Sequence, residues 1–236
     1  MDRKHILPVV CMVALLACKK EEAERPDLGF GYVPKAVGTW VEYQVDSMWR
    51  DDRVGVRDSV SYRLLERIME HYTDNEGRAC QRIHRYVRDA NGQWVIRDVW
   101  TATADSYAAE RTEENVRRLK LSFPIREDRV WDMNIYANGT EEDPEEDDEL
   151  LVGYEAVDEP WSAQGLDYSR TVLVQHTVPA NFIDRRDFQE RYAHDVGLVA
   201  KHWEETNTQS RIVNGLLVIE VKGWRLDMVA VAYGAD

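Results

Sequence analysis

The chain has 236 residues, a formal net charge of −14 and a pI near 4.9, with 44% hydrophobic and 31% charged residues. That length suits one domain, or at most two, with a real core, and the apolar content excludes wholesale disorder. An excess of 44 acids over 30 bases speaks against a nucleic-acid binder and against docking on anionic lipid by charge alone.

Arg3, Lys4 and His5 open the chain and are followed by an unbroken apolar run from Ile6 to Ala17. The run has the length of a signal-peptide core and falls short of the about 20 residues that span a bilayer. Pro8 near its start further weakens a spanning helix. Leu15-Leu16-Ala17-Cys18 resembles the lipobox of bacterial lipoproteins, with Leu16 bulkier than the residue usual there. In that family the cysteine becomes the lipidated N-terminus of the mature chain. The resemblance implies a signal peptide over 1–17 and a membrane partnership through an acyl anchor on Cys18, the one site residue assigned. Each buried methylene contributes about 0.8 kcal/mol, and a single myristoyl-length chain binds only marginally. The several acyl chains of mature lipoproteins would hold even an acidic body in place. Lys20-Glu21-Glu22 resembles the signal that sends lipoproteins of the Bacteroidota to the cell surface. It implies the outer membrane, with the surface face ahead of the periplasmic one. Of the three cysteines, Cys11 leaves with the signal and Cys18 carries lipid, so Cys80 remains alone and no internal disulfide forms.

Residues 18–35 read as the lipidated cysteine and a solvated tether, charged from Lys19 to Arg25 and punctuated by Pro26, Gly29, Gly31 and Pro34. Residues 36–236 read as one β-rich domain. Val41, Tyr43 and Val45 alternate with Glu42, Gln44 and Asp46, and Val60, Tyr62 and Leu64 alternate with Ser61 and Arg63. Period two places apolar residues on one face of a sheet. Further strands are expected over 79–87, 93–101, 116–123, 150–157, 171–178, 197–205, 216–221 and 225–233, with a short helix favoured by Ala108–Glu114 before the third of these. Glycines close the turns at 74–77 and 89–92, and Asn138-Gly139 and Asn214-Gly215 are tight-hairpin pairs. The fold class is therefore all-β: a single antiparallel domain, curled or barrel-like, with a sandwich as the alternative. The acidic run at 141–149, broken only by Pro144, reads as a solvated loop. It lacks the ligand spacing and central glycine of a calcium loop.

No catalytic motif emerges, and no catalytic, metal or cofactor residue is assigned. Cys80 and His84 share a strand face, which permits an activated thiol, but a buried cysteine beside a surface histidine explains the pair better. His194-Asp195, with His202 on the following strand, has no serine placed beside it. The chain has 8 Trp and 11 Tyr against 4 Phe, residues suited both to sheet cores and rims and to sugar-stacking platforms. Asp46-Ser47-Met48 and Asp58-Ser59-Val60 resemble the short O-glycosylation acceptor of exported Bacteroidota proteins, which requires exposed Ser47 and Ser59.

The segment from Val33 to Ser47, with Pro34, Gly38, Trp40 and Tyr43, is similar to the opening of a group of Bacteroidota lipoproteins without established activity. Further landmarks are Glu114-Asn115, Leu119 to Pro124, Trp131 and Tyr192 to Val199; His194-Asp195 departs from a smaller pair there. The resemblance implies an exported β-domain and supplies no site residues. Three roles are expected in order: a non-enzymatic outer-membrane lipoprotein binding an envelope component or extracellular ligand; a surface glycan binder using exposed tryptophans; and a carboxylate-dependent envelope hydrolase. An apolar cavity inside the sheet would point to lipid or small-molecule carriage, and a filled interior to surface interactions.

Overall fold

The computed structural model describes residues 26–137, 149–179 and 181–236. The signal segment, the lipobox with Cys18, Lys20-Glu21-Glu22, Asn138-Gly139 and the acidic run up to 148 lie outside the described residues. Among the described residues, twelve strands follow a 3₁₀ turn at Phe30–Tyr32: β1 (Thr39–Asp51), β2 (Val56–Thr73), β3 (Ala79–Arg88), β4 (Trp94–Ala104), β5 (Ala108–Glu113), β6 (Val116–Ser122), β7 (Val130–Asp132), β8 (Leu151–Ala163), β9 (Leu166–His176), β10 (Asp184–Ala193), β11 (Gly197–Val213) and β12 (Leu216–Ala235).

Successive strands pair antiparallel except β6 with β7, which form the two edges, and β12 returns to β1, giving the order β6-β5-β4-β3-β2-β1-β12-β11-β10-β9-β8-β7. The two edges approach one another. The Leu119 N–H of β6 donates to the Met133 carbonyl just past β7 (2.8 Å), and the Trp131 indole N–H donates to the Leu119 carbonyl (2.9 Å). The result is one antiparallel sheet nearly closed into a barrel. The sandwich alternative falls because no strand switches sheets; hydrogen bonding runs through all twelve.

The alternation read from β1 sets the inward face. Val41, Tyr43 and Val45 are buried, opposite Glu66, Leu64 and Tyr62 of β2. Leu121, Val152, Tyr154, Val172, Val174, Phe188 and Val199 complete the core. Each such apolar side chain contributes about 1.5–3 kcal/mol when fully buried.

Three expectations are corrected. The helix expected before residue 116 is strand β5, turned into β6 by Glu114 and Asn115 at φ 48° and 66°. The runs at 216–221 and 225–233 form the single strand β12. It passes Gly223, where an added Cβ would stand 2.0 Å from the Glu205 carbonyl oxygen, so only glycine lets β11 and β12 stay paired there. Strands β7 and β10 form where the alternation predicts none. Of the expected tether, residues 26–35 are described, and they dock on the barrel, with Tyr32 only 1% exposed. The folded unit therefore begins before residue 36.

This docked segment closes one end. Phe30 meets Phe123 edge-on (centroids 4.8 Å apart), Tyr32 Oη donates to Asp158 (2.7 Å), and Arg170 pairs with Asp27 (2.7 Å). Gln81 donates to the Pro34 carbonyl (3.0 Å). The opposite end carries the β1–β2, β3–β4, β5–β6, β9–β10 and β11–β12 connections, and the described residues leave it open.

Candidate functional site

Inside the barrel, the inward positions of β2, β3, β4, β5, β6, β10 and β11 bring charges together. Glu66 accepts from Arg85 Nε (2.9 Å) and from Arg111, and Arg85 also donates to Asp98 (2.9 Å). The Arg85 guanidinium lies 3.5 Å over the Trp100 ring. Beside them, Glu113 faces Lys120 (3.4 Å) and Lys201 (3.6 Å), while Glu190 faces the same lysines at 2.6 and 3.2 Å. Tyr192 Oη donates to Glu190 (2.6 Å). Glu190 is fully buried and Glu66, Glu113 and Lys120 nearly so. An ionised group so placed is tolerated when it is paired, as each is here, and Glu66, Lys120 and Glu190 are hydrogen-bonded as well.

Burial pushes the Glu66, Glu113 and Glu190 carboxyls up, but attraction by the surrounding cations outweighs it and holds all three below the ordinary glutamate value. Arg111 and Arg85 do this for Glu66, and Lys120 and Lys201 for the other two. Burial, joined by Glu190, drives Tyr192 well above the usual tyrosine range.

Between this network and the docked segment lies a cavity of about 100 Å³, touched by Tyr43, Ile68, Ile83, Leu121 and Leu198. That is below the ~150 Å³ of a cavity known to admit benzene. The interior among the described residues is thus nearly filled, and the larger space lies at the open end.

At the open end the inward faces of β1, β12, β11 and β10 continue past the network into an open cleft of about 640 Å³. Its wall carries Trp49 and Trp224, opposite one another in register, with Glu205, Asn207, Asp184, Arg186 and Lys222. Trp49 is 42% exposed. An aromatic column links the cleft to the network: Trp224 lies 5.4 Å from Trp203, which meets Phe188 edge-on at 5.1 Å, and Lys201 sits over both of the latter rings. Trp203 and Trp224 are tilted by 49°, a step rather than a flat platform of coplanar indoles. The carboxylates of the wall are already engaged. Asp184 accepts from Asn207 Nδ2 (2.6 Å), and Glu205 accepts from the Trp203 indole N–H (3.0 Å) beside Arg186 (3.2 Å). His176 Nδ1 contacts the Arg186 carbonyl at 3.1 Å. Preset polar groups around aromatic faces suit recognition of a hydroxyl-rich ligand.

The residues singled out from sequence lie elsewhere. Cys80 is buried with its thiol 3.5 Å from Asp74, and burial and that carboxylate raise its pKa, the opposite of activation. His84 turns to Tyr86 Oη (3.3 Å) instead. His194 bonds Asp195 (2.9 Å) and packs against Tyr32 under the docked segment, and His202 bonds Asp227 (2.7 Å). Ser59 is exposed and Ser47 half-buried, on adjacent strands. Among the tryptophans, Trp131 alone is buried.

No family model and no curated protein matches the chain. Among solved structures it is similar to a protein from Bacteroides fragilis NCTC 9343 described as exported and of YmcC-like fold. Identity is 13% and the TM-score 0.39, with 85% of this chain and 97% of that one covered. The strand order above stands on its own hydrogen bonds.

Proposed function

We propose that the protein is an exported lipoprotein, anchored through Cys18 to the outer membrane with its body on the surface face, that binds an extracellular or envelope glycan at the open end of the barrel. The cleft carries this reading: two indoles and at least five polar side chains converge on about 640 Å³ of open space, against about 100 Å³ deeper in the barrel. The anchor rests on Leu15-Leu16-Ala17-Cys18 and the basic, apolar start before it. The binding role needs no bond-making step.

Stacking by one aromatic ring contributes about 0.5–1.5 kcal/mol beyond the area it buries. Trp49→Ala or Trp224→Ala is therefore expected to weaken binding of a neutral oligosaccharide about tenfold, read by tryptophan fluorescence or calorimetry. Binding that both variants retain unchanged would remove the cleft from consideration. The anchor is tested separately by metabolic labelling with palmitate, which Cys18→Ser should abolish; persistent label would rule it out.

A further inference from the structure

The β11–β12 hairpin runs beyond its neighbours on both sides. β1 ends opposite Lys222, with Asp52 bonding Val221, and β10 begins opposite Asn207, with Thr208 bonding the Ile183 carbonyl. Past those points two strands project alone to the Asn214-Gly215 turn. The stretch from Ile212 to Ile219 carries no charge, and Ile212, Leu216, Leu217 and Ile219 are 73%, 71%, 67% and 63% exposed. A flat apolar edge without lysine, proline or a bulge is a template for pairing with another strand.

The free edge of β12 has a register that suits itself. Val221 turns its N–H and C=O toward β1. By the alternation of antiparallel strands, Ile219 and Leu217 turn theirs the same way, where β1 has already ended. We infer that this edge pairs with the same edge of a second copy, antiparallel about a twofold axis through Val218. Leu217 of each copy then meets Ile219 of the other as a hydrogen-bonded pair, closing four main-chain bonds, and Val218 meets Val218 on the axis. Cross-strand apolar pairs of this kind stabilise sheets.

The other edge fails the same test. Thr208 points its main chain outward, so the matching register on β11 would set Arg211 against Arg211, and like charges directly opposite repel. Lipid would cover the apolar side chains but leave the main-chain groups of both edges unpaired, which hydrocarbon does not tolerate. A second copy satisfies side chains and main chain together. Two acidic bodies can approach because the paired segment is uncharged and Glu220 is already neutralised by Arg211 (2.6 Å). The β1–β2 turn at Asp52 limits the pairing to residues 216–220 of each chain.

The geometry is tested by adding one cysteine at a time to the full chain, whose own Cys80 is buried, and cross-linking in expressing cells with copper–phenanthroline, read on non-reducing gels. On the axis, a non-hydrogen-bonded pair lies close enough for a disulfide. Val218→Cys should give a covalent dimer absent from the unsubstituted chain, and Arg211→Cys on the opposite edge at least tenfold less. Adding Ile219→Lys to Val218→Cys should lower the cross-link at least tenfold while leaving the thermal midpoint unchanged. No dimer from Val218→Cys, or equal dimer from Arg211→Cys, overturns the register. Quenching of a fluorophore attached at Val218→Cys by brominated phosphatidylcholine, without any cross-link, overturns the second copy in favour of lipid.

Discussion

In the interior of the barrel, Glu66, Glu113, Lys120 and Glu190 are each less than a tenth exposed, whereas at the open end Ile212, Leu216, Leu217 and Ile219 are each more than 60% exposed. The two regions invert the usual placement of residue types, charges inside and large apolar side chains outside. In the first, every charge has a partner, so the inversion is a matter of folding. In the second, nothing among the described residues covers the apolar groups, so the inversion is a matter of contact with something else. The substitutions that follow separate these two meanings.

The largest effect is expected at Glu190. Removing one partner of a buried ion pair typically costs about 3–5 kcal/mol, because the remaining charges stay buried and uncompensated. Glu190→Ala leaves Lys120 and Lys201 with Glu113 between them and Tyr192 without its acceptor. Denaturant unfolding at neutral pH should show a loss of that size. A loss below about 1 kcal/mol, a surface-pair value, would mean that water reaches the network.

Acid should act on the same groups. The folded-state pKa values of Glu66, Glu113 and Glu190 lie below the ordinary 4.5, so unfolding takes up protons at low pH. Their contribution to stability is complete above pH 4.5 and is lost as pH falls through the folded values, by about 1.4 kcal/mol per unit of depression for each group. Urea midpoints measured between neutral pH and pH 3 should fall accordingly, and Glu113→Gln should start lower at neutral pH and decline less steeply.

This inversion also explains what was legible in the amino-acid sequence. The all-β class, the single domain and the turns at Gly77, Gly92 and Asn214-Gly215 follow from period-two alternation and turn chemistry, and the structure has them. Strand β10 escaped because its inward residues are Phe188, Glu190 and Tyr192, with a glutamate where the pattern asks for an apolar group. Strand β5 read as helix because its inward set includes Arg111 and Glu113. A charge that will be buried against a partner some 70 residues away, as Lys120 is against Glu190, looks like a surface charge until the strands are aligned. The aromatics two residues either side of Glu190 were the available hint. The cleft was only partly visible: Trp49 and Trp224 stood among eight tryptophans with nothing to mark them as neighbours, since β1 and β12 come from opposite ends of the chain.

A smaller effect is expected where the docked segment meets the closed end. A Cβ on Gly31 would stand 2.0 Å from Nε2 of His194, so Gly31→Ala must displace that ring from Tyr32 and Asp195. Overpacking of this kind costs about 1–3 kcal/mol. Hydrogen exchange should quicken over residues 26–38 while strands β11 and β12 keep their protection, and His194→Ala in the same chain should restore the segment. If exchange rises uniformly, the segment is part of the barrel's cooperative core rather than a cap upon it.

The smallest effect belongs to the open end. Leu216 and Leu217 keep about seven-tenths of their surface in water, so they bring little burial to the folded state. Changing both to serine should move stability by no more than about 0.5 kcal/mol, the range of surface substitutions without a packing role. The same double change should remove the self-association of the hairpin edge, because Leu217 lies in the paired segment. A near-zero effect on folding together with a large one on association would assign the exposed apolar tip to contact between molecules. A stability loss above about 1 kcal/mol would instead mean that the tip folds back on its own barrel in solution, and the two regions would then obey the same rule.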